Sequence, residues 1–127
     1  MILVDTDILI DVFRNHPPAV AWLNSVLTQK PALPGYVVLE LLAGCHDKIG
    51  VQFVQQRIRN FAVLWPDSPA ANAILPVFSK AHLTHALGII DSLIAATALT
   101  NGLPLYTFNQ KHFAAVPGLK TMQPYIR

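Results

Sequence analysis

The chain opens on Met1-Ile-Leu-Val-Asp5-Thr6-Asp7-Ile-Leu-Ile-Asp11, and this stretch limits the possible folds more than any other. Ile2, Leu3 and Val4 run together with no polar alternation, the pattern of a strand buried on both faces in the middle of a parallel sheet. The run stops on a carboxylate. Ile8, Leu9, Val12 and Phe13 then recur at the spacing of a helix face. In an open α/β sheet, ligands bind just beyond the carboxyl ends of the strands, so Asp5 is expected at that rim, on the central strand. The competing reading is that Asp5 or Asp7 caps the helix, since Asp is a preferred N-cap residue. Capping accounts for one acid and leaves the second unexplained.

With 127 residues, a single domain spanning residues 1–127 is expected, large enough for a real core. Hydrophobic residues make up 53% and charged residues 13%, so the fold must bury much of itself or cover surface with a partner. No apolar run approaches the ~18 residues of a membrane span, and Asp5 interrupts the first apolar run before it resembles a leader. A cytoplasmic protein with no membrane partner is the expectation. The lone Cys45 excludes an internal disulfide and a cysteine metal site, and its apolar helical context suits inert burial. The net charge of +2 is compatible with a phosphate-bearing partner.

Acids are scarce, and their positions carry the information. There are seven: Asp5, Asp7, Asp11, Glu40, Asp47, Asp67 and Asp91. Glu is a good residue for exposed helix surfaces, yet the chain contains just one. It lies in Tyr36-Val-Val-Leu-Glu40-Leu-Leu-Ala-Gly44, a helix pattern closed by Gly44, and on such a helix Glu40 shares its face with Tyr36, Val37 and Ala43. Glu40 is either a solvated position on a largely buried helix or a carboxylate aimed into a polar cleft.

Between these stretches the chain alternates. A helix is expected from Pro18, with Val20, Trp22, Leu23, Val26 and Leu27 on one face. Ala32-Leu33 reads as a short strand and Pro34-Gly35 as a turn. Residues 49–60 form an amphipathic helix, and Phe61–Trp65 a further apolar strand. Asp67 or Ser68 caps a helix beginning near Pro69, with Pro76 near a kink, and Asp67 is given no chemistry. His82 and His85 stand at a metal-compatible spacing on a helix, but without a third ligand nearby a helix-end role fits better. Gly88–Leu99 is apolar on nearly every side and reads as a central helix. Asp91 opens it, either as a first-turn acid favoured by the helix dipole or as a carboxylate in an expensive place that needs neutralising. Asn101-Gly102 ends that helix, Leu103–Thr107 is another strand, and Lys120–Met122 an edge strand.

This order gives a three-layer α/β/α sandwich around a mainly parallel sheet of four to five strands. Asp5, Glu40 and Asp91 each follow or open an element whose polar end is expected at the same rim. Converging carboxylates repel, and burial raises their pKa values. Hard divalent cations with oxygen ligands relieve that cost, and Mg²⁺ or Mn²⁺ held by a few carboxylates keeps waters for phosphate chemistry.

Four segments together resemble the PIN-domain ribonucleases, and within them the VapC-type toxins of toxin–antitoxin pairs: Ile2–Ile10, Leu39-Glu40-Leu-Leu-Ala-Gly44, Asp91-Ser-Leu-Ile-Ala-Ala-Thr-Ala98, and Thr107-Phe-Asn109-Gln-Lys-His112-Phe113 followed by Val116-Pro-Gly-Leu119. The resemblance spans the chain in the family's order. It implies a Mg²⁺-dependent endoribonuclease, with Mn²⁺ able to substitute. Asp5, Glu40 and Asp91 would form the acidic metal site, Asn109 would stand at a fourth catalytic position, and Thr6, Asp7 and Thr107 would support it. It further implies an RNA substrate, a cognate antitoxin partner and a homodimer. The sequence departs from the family at Asn109, where an Asp is frequent, and at Asp7, where a small polar residue is frequent.

Two rivals remain at this level. Asp5-Thr6-Asp7 after an apolar strand also resembles the nucleophile loop of haloacid-dehalogenase-type phosphatases, although Asp91 lacks the acidic neighbour that chemistry uses. A degenerate PIN scaffold that binds RNA or a protein without cutting is the other, suggested by Asn109. Arg14, Lys48, Arg57, Arg59 and Lys111 are candidates for the RNA backbone.

Overall fold

The computed structural model describes residues 1–127. Its centre is β1 (Ile2–Val4), whose three residues are at most 4% exposed. The other strands are β2 (Pro31–Pro34), β3 (Ala62–Leu64), β4 (Leu105–Tyr106) and β5 (Thr121–Met122). They form one sheet of five strands in the order β3-β2-β1-β4-β5. Every pairing is parallel, with Leu3 opposite both Ala32 and Leu105. The continuous apolar opening run thus has the cause inferred for it, burial on both faces at mid-sheet.

Helices α1 (Thr6–Phe13), α2 (Pro17–Ser25), α3 (Gly35–Ala43), α4 (Lys48–Ile58), α5 (Ser68–Thr84), α6 (Ile89–Asn101) and the short α7 (Gln110–Phe113) cover the sheet, with a 3₁₀ turn at Leu27–Gln29. The buried side chains of strands and helices merge into one core cluster of 20 residues. Ser92 and Ile94–Ala98 of α6 are buried. The two polar residues there, Ser92 and Thr97, donate their hydroxyls to the Ile89 and Leu93 carbonyls, which removes the desolvation penalty. Gly102 at φ +62° ends α6, as Asn101-Gly102 foretold. Two acids are caps: Asp47 accepts from the Gly50 N–H at 2.7 Å and Asp67 from the Ala70 N–H at 2.8 Å. His82 stacks on Phe78, and His85 follows the last turn of α5.

Two local readings change. Phe61–Trp65 is apolar, yet β3 is an edge strand whose Val63 is exposed, as is Trp65 just after it. Pro34-Gly35 is no turn, because α3 starts at Gly35 directly from the end of β2. The two prolines of β2 occupy its first and last positions, where a missing N–H is tolerated. Gly35 is needed for a steric reason: a Cβ there would run into the indole ring of Trp65, which also meets Tyr36 edge-on at 5.3 Å. Trp65 thus packs against the first turn of α3, the helix that carries Glu40.

Gly35→Ala should therefore destabilise the fold by about 1–3 kcal/mol, the usual cost of overpacking. In a Trp65→Ala background the same change should become neutral or stabilising, since Ala is the better helix former. Urea denaturation of the four proteins measures the coupling, and additive effects would contradict the steric account.

Candidate active site

Strands β1, β2 and β3 run to one side of the sheet and β4 and β5 to the other, so the order reverses between β1 and β4. Such a switch point leaves a crevice at the carboxyl ends of the two strands. Asp5 follows β1 into it. Its backbone N–H donates to the Tyr106 carbonyl at 3.0 Å, so the residue is still held by the sheet as its side chain leaves it. Asp5 is 3% exposed. Its Oδ1 accepts the Thr6 N–H at 2.8 Å, and its Oδ2 accepts the Thr107 hydroxyl at 2.7 Å. Asp5 is thus the N-cap of α1, and the capping interpretation is correct as far as it goes. It leaves the second oxygen to bridge the crevice to the end of β4.

Two threonines organise the rest. Thr6 donates its hydroxyl to Glu40 Oε1 at 2.6 Å, joining the end of β1 to α3. Thr107, fully buried, takes the Asn109 N–H at 3.0 Å while donating to Asp5. Asn109 is the residue before α7, and its side chain makes no capping bond there. Asp7 accepts from the Ile8 N–H at 2.9 Å. Asp91 lies in the first turn of α6, with His112 Nδ1 3.8 Å from its Oδ2.

The electrostatics follow from burial. Desolvation, then the charge of Asp7 and less strongly that of Asp91, push the Asp5 carboxyl up to about 7, against the two hydrogen bonds it accepts. Asp7 is raised by burial, partly offset by the Ile8 N–H and the charge of Arg127. Burial also raises Asp91, opposed by the Gly88 backbone and by His112. Three acids with raised pKa values at one crevice make a site that disfavours its own ionisation.

The structure thus brings Asp5, Asp7 and Asp91 within electrostatic reach, and links Glu40 to Asp5 through Thr6 and Asn109 to Asp5 through Thr107. It does not close these acids into a cage: no three His, Cys, Asp or Glu side chains stand together as a ready metal-binding group. The side-chain donors next to Asp5 are nonetheless oxygens, among them the acids Asp7 and Asp91. That set fits Mg²⁺ or Mn²⁺, which bind through one or two carboxylates and retain several waters, and does not fit a structural zinc site.

Sequence reasoning gave no role to His112, although it stands within a singled-out segment. It also left Asp11 without a role: Asp11 is buried, accepting from Tyr125 at 2.8 Å and Arg127 at 3.0 Å. No local pattern links residues more than a hundred positions apart.

A family model describing the PIN domain matches residues 2–119. A ribonuclease VapC of Rickettsia bellii (strain RML369-C) is 29% identical over 132 residues, an alignment covering 95% of this chain and 94% of that protein. Among solved structures, a toxin–antitoxin complex from Klebsiella pneumoniae is similar with a TM-score of 0.75 and 25% identity, each chain being covered to 100%. VapBC2 from Rickettsia felis, bound to a DNA fragment from its promoter, shares the fold with a TM-score of 0.81 at 20% identity, covering 97% of this chain and 98% of that one. The match takes in β1, all of α1 to α7 and the crevice between β1 and β4, and the chain belongs to the PIN-domain family.

Proposed function

We propose that the chain is a divalent-metal-dependent endoribonuclease acting in the cytoplasm as the toxin of a toxin–antitoxin pair. The observation that carries this reading is Asp5, a buried carboxylate at the sheet's switch point whose pKa is pushed up to about 7 by burial and neighbouring acids. The similarity to a ribonuclease VapC and to a toxin–antitoxin complex supports the substrate class and the antitoxin partner. The family assignment removes the haloacid-dehalogenase-type phosphatase as a rival.

In this reading Asp5 and Asp91 hold the cation directly. A bound Mg²⁺ supplies polarisation of the phosphoryl oxygen and a water of lowered pKa. Glu40, fixed by the Thr6 hydroxyl, orients the attacking water and receives its proton. Thr6 and Thr107 keep the two Asp5 oxygens in place, so little reorganisation accompanies the reaction. Asn109 offers an amide, without charge, to the cation or the substrate phosphate, and Asp7 adds negative charge beside Asp5. His112 supports Asp91 from its outer side. In-line attack leaves a 5′-phosphate and a 3′-hydroxyl. A homodimer interface and an antitoxin would cover part of the exposed apolar surface, which includes Leu39, Ile49 and Phe53.

Asp5→Asn, Glu40→Gln and Asp91→Asn should each lower the Mg²⁺-dependent cleavage rate of single-stranded RNA by about 10²–10⁴-fold. Growth arrest on expression should fail in parallel. Wild-type protein that binds RNA but leaves it intact with Mg²⁺ or Mn²⁺ would establish the non-cutting scaffold instead, for which the uncharged Asn109 is the structural motive.

The metal requirement has a separate signature in stability. The folded-state pKa of Asp5 lies above its ordinary 3.8, so between about pH 4 and 7 the folded chain keeps a proton that the unfolded chain has released. Without metal, stability should fall as pH rises through that window, by up to roughly 4 kcal/mol from Asp5 alone. Asp7 and Asp91 act in the same direction. Burial pushes Asp11 up, but Tyr125 and Arg127 outweigh it and hold that carboxyl below its usual range, so Asp11 contributes stability that is lost only at lower pH. Saturating Mg²⁺ should raise the thermal midpoint clearly above pH 7 and hardly at about pH 5. An equal rise at both pH values would contradict the Asp5 site.

A further inference from the structure

Outside the acidic crevice, the only cluster of charged side chains that encloses a space lies at the far end of α1. Asp11, Arg14, Asn15, His16, Pro17 and Arg127 line a cleft of about 470 Å³, with no hydrophobic residue among them. We propose that this cleft is a phosphate-binding subsite, where a single-stranded RNA is held by its backbone beside the acidic centre. The inference rests on the endoribonuclease reading for its choice of RNA.

Charge is the first reason. Two permanent cations, Arg14 and Arg127, face one carboxylate, Asp11, so the cleft is net positive where the neighbouring crevice is net negative. Asp11 serves to hold Arg127, whose Nη2 donates to its Oδ1 at 3.0 Å. The Tyr125 hydroxyl takes the other oxygen at 2.8 Å, and the Arg127 guanidinium lies over the Phe108 ring at 4.8 Å. A planar fork fixed by a carboxylate and an aromatic face is prepared for bidentate contact with phosphate, for which its remaining N–H groups suit it. Arg14 makes no ion pair or side-chain hydrogen bond of its own.

Position is the second. Asp7 and Asp11 occupy consecutive turns of α1, about 5–6 Å apart at Cβ, and the charge of Arg127 reaches Asp7. Phe108, under Arg127, separates Thr107 from Asn109. The cleft and the crevice therefore adjoin along α1 and at Phe108. His16 lines the cleft beside Arg14.

The test measures binding of a fluorescent single-stranded RNA in metal-free buffer, where nothing is cut, across a range of salt. Each phosphate contact contributes about 0.7 to the slope of log affinity against log salt for single strands. Arg14→Gln and Arg127→Gln should each reduce the slope by about that amount and weaken binding several-fold at low salt. Arg127→Lys, which keeps the charge but not the fork, should retain the slope and lose part of the affinity. Arg14→Gln should leave the thermal midpoint unchanged, so its effect on binding is not an effect on folding. Wild-type affinity and slope in both glutamine variants would overturn the proposal. So would unaltered RNA binding together with weakened binding of a poly-glutamate peptide, which would make the cleft a site for an acidic protein segment. If the wild type binds RNA but never cuts it with Mg²⁺, the nuclease reading fails, while the subsite still stands or falls on the slopes alone.

Discussion

A carboxylate held at the end of a doubly buried strand is the constraint on which the rest of the structure depends. Asp5 cannot move away from its neighbours, because the sheet holds its backbone and two donors hold its two oxygens. Nor can it be solvated, because it is 3% exposed. Only protonation or a cation relieves it, and the first removes the charge that the proposed chemistry needs. Thr6 and Thr107 thus have a double part: they make the buried anion tolerable and extend its position to Glu40 and Asn109. Three chain segments distant in sequence acquire a common geometry through two hydroxyl groups.

Much of this was legible from the residues. The unbroken Ile2-Leu3-Val4 run implied the central strand, and the parallel sheet of five strands follows the alternation of apolar runs and helix patterns. Asp67 and Gly102 occupy the cap positions that their residue types suggested. What was not legible depends on contacts across the fold. Pro34-Gly35 has the composition of a turn, but Trp65, thirty residues on, makes the glycine a packing requirement and lets the helix start at once. The exposure of β3 is likewise a matter of topology, since an edge strand and a central one can have equally apolar sequences.

The site shows the same division. Asp5, Glu40 and Asp91 stood out because acids are scarce and each lies in or beside an apolar element. Thr6 and Thr107 were singled out as support through the family resemblance, and their bonding gives that support a physical form. Asp11 gave no local sign of its role: at helical spacing from Asp7 it reads as a further acid of α1, while its partners Tyr125 and Arg127 arrive from the other end of the chain. Through them the last residues become part of the wall beside the acidic centre. Negative crevice and positive cleft then lie side by side on α1, an arrangement suited to a polyanion that must be both gripped and brought to a cation.

The most direct test of the central claim is the titration of one carboxyl group. Carbon-detected NMR of metal-free wild-type protein, with the Asp5 side-chain carboxyl followed across the pH range, should show it titrating near 7. An Asp5 midpoint near 4, the ordinary range for an aspartate, would mean that the buried acid is neither crowded nor desolvated as described, and the account of the site would be wrong.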